Sequence, residues 1–383
     1  MRVIITDGNF KHTLAAVRSL GRKGVDITVL SDSPLSIAFY SKYCKTGILA
    51  PNPEHSSDFA KFVTDFVKNG SYDVLLPISY AAVDQISGIQ KLIESDIGIP
   101  LPASDALQLA ANKEKTMQYA KNIGVPIPKT YYPKTSDEVI TLSKTLSYPV
   151  VVKGSIENGN VGYANSPDDL LVLYKKMIDF TPIFQEYIVG DGYGFFALYN
   201  HGEARAIFMH RRIREYPVTG GPSALAESVY EPRLMELGLK MLDSLRWHGV
   251  AMVEFKRDVR TDDFVLMEIN PKFWGSLELA IVSGVDFPYL TSKMICKGDI
   301  EPVFTYQTGV KFRWLLPQDT FHVITNPEAI TQFISDFRDE TIHYDINIHD
   351  PIPNILQLGM TIGEFFLRIK QRRFWKPHGQ PQC

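Results

Sequence analysis

The sequence predicts an α/β domain followed by a larger α+β region, and three observations carry that expectation. Its first third alternates short apolar strands with amphipathic helical stretches, the pattern of a parallel sheet. Its middle third strings together longer strands separated by glycine-rich turns. The length of 383 residues, with 45% hydrophobic and 22% charged residues, is ample for two or three buried cores.

Val3 to Thr6, the helical stretch His12 to Lys23 and Val25 to Leu30 read as an opening β-α-β unit. Asp32 after the second strand stands where dinucleotide-binding folds place a ribose-holding acid. The first turn, D-G-N-F-K-H, carries one glycine instead of the Gly-rich fingerprint, so a dinucleotide site is not expected. Helices over Ser57 to Lys68 and Ala81 to Glu94, and strands at Val74 to Pro77 and near Ile99, complete a Rossmann-like domain over residues 1–108.

Ser104 with Asp105 opens a helix, and Asn112-Lys113 opens another that Gly124 stops. Prolines hold V-P-I-P-K-T extended. After a helix at Asp137 to Leu146, the strand Y-P-V-V-V-K ends on Lys153, facing a loop with Gly154, Gly159 and Gly162. A lysine beside a glycine loop suits phosphate, through backbone N–H groups and a point charge; a plain hairpin turn is the competing reading. A helix from Asp168 to Phe180 precedes the strand I-F-Q-E-Y-I, which can offer a flat ring edge hydrogen bonds through Glu186 and the backbone of Tyr187 and Ile188, or else is an ordinary core strand. His210 to Glu215, H-R-R-I-R-E, sets arginines before a glycine-proline loop, a pattern suited to a planar anion or to a solvated basic face.

A helix at Pro232 to Trp247 leads to two strands, Gly249 to Lys256 and Phe264 to Ile269, joined by the turn-like Asp258 to Asp263. Glu268 and Asn270 sit two apart, hence on one face, and Pro271 ends the ladder. If the strands pair, Glu254 joins them, giving hard oxygen donors suited to Mg²⁺, with Lys272 as a neighbouring cation. Solvated acids on a sheet are the alternative.

Taken in order, N-K-E-K-T-M, G-V-P-I-P-K-T, P-V-V-V-K-G, the glycine loop, Q-E-Y-I-V-G, V-E-F and E-I-N-P-K-F-W-G-S resemble the ATP-grasp superfamily, most closely carboxylate–amine ligases similar to the carbamoyl-phosphate synthase large chain. The resemblance covers about residues 112–288. It implies a two-lobed ATP-grasp domain over residues 109–305, with a lid lobe over about 118–188, behind the pre-ATP-grasp domain. It further implies that Lys113 and Lys153 contact ATP phosphates under a lid formed by Gly159 to Gly162. Gln185, Glu186 and Ile188 would bind the base, and Glu254, Glu268 and Asn270 would bind Mg²⁺ or Mn²⁺. Lys272 replaces the usual arginine at the γ phosphate. Gly192 replaces the usual ribose-binding glutamate, with Asp191 as its candidate substitute. Arg212 and Arg214 are candidates for the acceptor carboxylate. The expected chemistry is ATP-dependent joining of a small-molecule carboxylate to an amine. A bicarbonate-using carboxylase and an ATP-binding protein without chemistry are the alternatives.

The net charge of −3 argues against a nucleic-acid partner, and no apolar run reaches the roughly 18 residues of a membrane span. Cys44, Cys296 and Cys383 are too far apart for a zinc pair or disulfide framework, pointing to a reducing cytoplasm. A homodimer is compatible with the sequence. Residues 306–383 read as a C-terminal extension containing a strand at Lys311 to Leu316 and a helix at Asn354 to Trp375. In its Met360 to Lys376 part, Phe365, Phe366, Ile369, Phe374 and Trp375 mix with Arg368, Lys370, Arg372, Arg373 and Lys376. Packing on the domain is the simpler expectation for that helix, and peripheral contact with an anionic membrane is the alternative.

Overall fold

The computed structural model describes residues 1–155, 161–218 and 220–371. Among the described residues the strands form three sheets. In the first, β1 (Arg2–Ile5), β2 (Asp26–Ser31), β3 (Thr46–Leu49) and β4 (Val74–Leu76) are parallel in the order β3-β2-β1-β4. The half-exposed β3, T-G-I-L, has too little apolar alternation to stand out in the sequence. The segment near Ile99 contributes only a bridge between Val74 and Gly98. Because β1 lies between β2 and β4, the chain changes direction across the sheet at its carboxyl ends, where a crevice opens.

The second sheet is antiparallel, in the order β5-β8-β6-β7, with β5 (Thr130–Tyr131), β6 (Val150–Lys153), β7 (Val161–Ala164) and β8 (Ile183–Glu186). Helices Ser136–Ser143 and Pro167–Met177 cover one face. They bury Val139, Val150, Val152, Leu170 and Phe184 in a small core of their own.

The third sheet runs β13-β12-β9-β10-β11-β14-β15, from β9 (Gly192–Asn200), β10 (Glu203–Glu215), β11 (Ser223–Ser228), β12 (Gly249–Arg257), β13 (Phe264–Asn270), β14 (Lys311–Arg313) and β15 (Ile342–Tyr344). Large apolar side chains on both faces explain its burial: Tyr193, Phe195, Ala197 and Tyr199 face helix Pro232–Ser244, while Phe196, Leu198 and Phe208 face the first domain. The segment after the glycine-proline loop forms β11, which the sequence reading did not include, and the expected strand at Lys311 appears as β14, which with β15 extends the central sheet.

The C-terminal helix spans Ile352–Lys370, and the residues of the expected helix beyond 371 lie outside the described residues. No described helix is long and apolar enough to cross a membrane.

Candidate functional site

A cleft of about 380 Å³ opens between the second and third sheets, and the β12–β13 hairpin forms its floor. Glu254 pairs directly across from Glu268, and Met252 from Asn270. A bulge between Glu254 and Phe255 adds Met267 to β13, yet Glu268 and Asn270 keep their common face. The Asn270 amide donates to Glu268 Oε1 at 2.9 Å, and Lys272 Nζ donates to Asn270 Oδ1 at 3.4 Å.

Lys113 reaches Glu268 Oε2 at 3.3 Å from the first turn of helix Lys113–Asn122. That turn is fixed by the Asn112 side chain, which accepts from the Lys115 N–H. Lys153 arrives from the end of β6. Arg212 on β10 meets Glu254 at 2.6 Å and Glu215 at 3.4 Å. Lys256, two residues beyond Glu254 and so on the same face, donates to the Ile188 carbonyl at 3.1 Å, and its ammonium lies 5.2 Å from the Tyr187 ring centre.

The charges are set by this company. Burial works to raise the Glu268 carboxyl, but Lys113, the Asn270 amide, Lys153 and Lys272 overcome it and hold the group at about 2. Glu254 is pushed up by burial and by the like charge of Glu268, against the pull of Arg212. Burial lowers Lys153 to about 8, against the attraction of Glu268. His12, from the first domain, is lowered to about 3 by burial and by Lys11 and Lys272, so it is neutral.

The structure brings together Lys113, Lys153, Gln185, Glu186, Ile188, Arg212, Glu254, Glu268, Asn270 and Lys272 as lining of one cleft. Glu186 is partly engaged already, accepting from the Lys129 N–H at 3.0 Å and meeting Arg260 at 3.4 Å. Gln185 donates to Thr130 Oγ1 at 3.1 Å.

Three expectations are corrected. Between Arg212 and Arg214, β10 gains a residue on β11, and this bulge turns Arg214 away from the cleft. Arg214 is instead buried against Asp319 and Asp336 at 2.8 and 2.6 Å. Gly162 lies within β7 opposite Val152, where a Cβ would come within 2.8 Å of Leu173, so its lack of a side chain serves helix packing. Asp191 is exposed and does not line the cleft. A Cβ on Gly192 would stand 2.9 Å from Glu215 Oε1, so Glu215, which does line the cleft, occupies the space of a side chain at 192. Gly159 lies outside the described residues.

Sequence reasoning missed Glu215, Lys256 and His12. The Glu254-x-Lys256 spacing signals a shared face for Lys256. Nothing local signals His12, which comes from the helix Lys11–Arg22 of the first domain.

A second cavity of about 360 Å³ lies at the carboxyl ends of β1, β2 and β4, lined by Asp7, Asn9, Asp32, Asn52, Glu54 and Tyr80 among others. His12 and Lys272 line both cavities and so join them. Asp7 adopts a φ of 60°, rare outside glycine, and its carboxylate accepts from the Ser79 N–H at 3.0 Å. The Asn9 and Asn52 amides both donate to Asp32, at 3.2 and 2.6 Å.

Residues 183–316 match the family model described as ATP-grasp in the biosynthetic pathway with Ter operon. The carbamoyl phosphate synthase large chain of Pyrococcus furiosus is 21% identical over 237 residues, 56% of this chain, and the match spans only 21% of that relative. The structure is similar to a biotin carboxylase–β,γ-ATP complex from Campylobacter jejuni, with a TM-score of 0.66 at 17% identity, covering 81% of this chain and 74% of that one. It is also similar to the L-amino acid ligase of Bacillus licheniformis, with a TM-score of 0.60 at 15% identity, covering 78% and 75%. With cleft, strand order and these likenesses in agreement, the chain carries an ATP-grasp domain and has the ATP-grasp fold.

Proposed function

We propose that this chain is an ATP- and Mg²⁺-dependent ligase that joins a carboxylate to an amine or similar nucleophile through an acyl phosphate. The observation that carries the reading is the convergence, in one cleft, of two cross-strand carboxylates, an amide and four lysines from three separate segments. The donor set fits the metal. Two carboxylates and an amide oxygen suit a hard cation that takes its remaining ligands from phosphate and water. Glu254, Glu268 and Asn270 would hold Mg²⁺ or Mn²⁺, which when bound would neutralise phosphate charge. Lys113, Lys153 and Lys272 hold the phosphates, Gln185, Glu186 and Ile188 the base, and Glu215 the ribose. Arg212, whose Nε is buried without a hydrogen-bond partner, orients the acceptor carboxylate.

In the reaction a carboxylate oxygen bonds to the γ phosphorus as the bond to ADP breaks. The amine then attacks the acyl carbon, phosphate leaves with the bonding pair, and the amine proton is lost. The cavity at the carboxyl ends of β1, β2 and β4 supports an amine-bearing second substrate, because Asp7, Asp32 and Glu54 surround it and it meets the cleft at Lys272. Bicarbonate as the sole small substrate would leave that space unused.

The nucleotide product tests the mechanism. With the correct carboxylate present, ADP and phosphate accumulate, and hydroxylamine diverts the intermediate to a hydroxamate. AMP and pyrophosphate would overturn it, since the reading assigns the cations to the outer phosphates, where charge develops on attack at the γ phosphorus.

Lys153 gives the cleft a pH dependence. Its ammonium is protonated below about 8 and neutral above. Polyphosphate binds the protonated form, so ADP affinity is flat at lower pH and falls as pH rises through that value, by at most about tenfold per unit. Calorimetric titration of ADP across this range reads the slope, and Lys153→Met removes it. An equal slope in the variant would assign the effect to another group.

A further inference from the structure

Helix Ile352–Lys370 is turned inside out relative to an ordinary surface helix. Its inward stripe is polar: Asn354, Gln357 and Thr361 are buried, with Glu364 and Arg368 continuing the same face at helical spacing. Hydrogen bonds hold that stripe to the body. Asn354 donates to the Asp345 carbonyl at 2.9 Å and accepts from Arg18 at 3.1 Å, Gln357 donates to the Leu316 carbonyl, and Arg368 donates to the Tyr216 hydroxyl at 2.8 Å. The outward face carries Ile352, Ile355, Leu358, Ile362, Phe366 and Ile369, with Ile355 65% and Phe366 64% exposed. An amphipathic helix in water normally buries its apolar face, and a contiguous exposed one marks an interaction surface.

The charge pattern selects the occupant. Beyond Arg368, which faces inward and is paired with Glu364, the sequence to Cys383 has no acidic residue but includes Lys370, Arg372, Arg373 and Lys376, in a chain whose net charge is −3. The basic excess is therefore local in the sequence, at the end of the helix and directly after it. An apolar outward face, a polar inward face and a basic sequence directly after them, on a helix not apolar enough to cross a bilayer, together mark a helix lying in the plane of a membrane surface. We propose that the outward face of this helix docks the protein on an anionic phospholipid bilayer. The polar inward face then ties the domain to that surface, and the proposal stands apart from the chemistry in the cleft.

The full chain is tested by co-sedimentation with vesicles of phosphatidylcholine alone and of phosphatidylcholine with phosphatidylserine. The wild type partitions onto the anionic vesicles, and raising salt weakens it. Ile355→Asp with Ile362→Asp, both at exposed positions, lowers partition at least about tenfold while circular dichroism shows the fold intact. Lys370→Glu weakens binding to anionic vesicles alone. Absence of wild-type binding, or unchanged binding by the double variant, overturns the proposal. A wild-type dimer that the double variant dissociates, without vesicle binding, overturns it in favour of a second copy on this face.

Discussion

Glu268→Gln lowers ligase turnover on the order of 10²–10³-fold while metal-free ADP binding stays close to wild type. The substitution keeps the shape and the Asn270 contact but removes the charge that the cleft keeps ionised at a cost of burial. Metal affinity falls with that charge. Lys113 loses its ion-pair partner at 3.3 Å but keeps its charge in the cleft, so on the proposed reading the nucleotide itself is still held. Steady-state turnover against metal concentration, together with metal-free ADP titration, separates the two effects. Wild-type turnover in this variant would remove the ground for placing the metal on β12 and β13.

The second large effect is on stability. Asp319→Ala costs about 3–5 kcal/mol, because it strips the carboxylate shared by two buried arginines. Arg214 Nε donates to it at 2.8 Å and Arg313 Nε at 2.5 Å. Arg214 retains Asp336, but Arg313 is fully buried against the Phe333 and Phe337 rings, 4.1 and 4.4 Å from their centres. Its charge is then left without its carboxylate in a place water does not reach. A denaturant midpoint unchanged from wild type would show that the ring faces alone sustain the cation.

The comparison of sequence with structure turns on where chemistry is local. Glu254 and Glu268 were legible because a hairpin is a short-range object: two apolar strands, a turn, and period-two alternation suffice to bring them opposite one another. Arg214 was not, because the residue inserted into β10 reverses its face without any mark in R-R-I-R-E. Glu215 was hidden for a related reason. It fills the space beside Gly192 from a neighbouring strand, a relation visible only once both strands are placed. Strand β11, S-A-L-A-E-S, is composed of small side chains and follows a loop, so nothing in its pattern competes with a coil reading. For the C-terminal helix the apolar stripe was readable but not its direction, since Arg18, Leu316, Asp345 and Tyr216 supply a polar seat that no periodicity reveals.

The late strands of the central sheet bear on how the chain assembles as it is made. β11 is bounded on one side by β10, its near neighbour in sequence, but its other side waits for β14, more than eighty positions later, and β14 in turn waits for β15. During ribosomal synthesis the β12–β13 hairpin is therefore complete while β11 still presents an open row of backbone donors and acceptors. Such an edge is the kind that recruits strands from other molecules. The interval between emergence of β11 and of β15 is the period in which a nascent chain is most exposed to misassociation, and the short C-terminal strands end it by closing the edge.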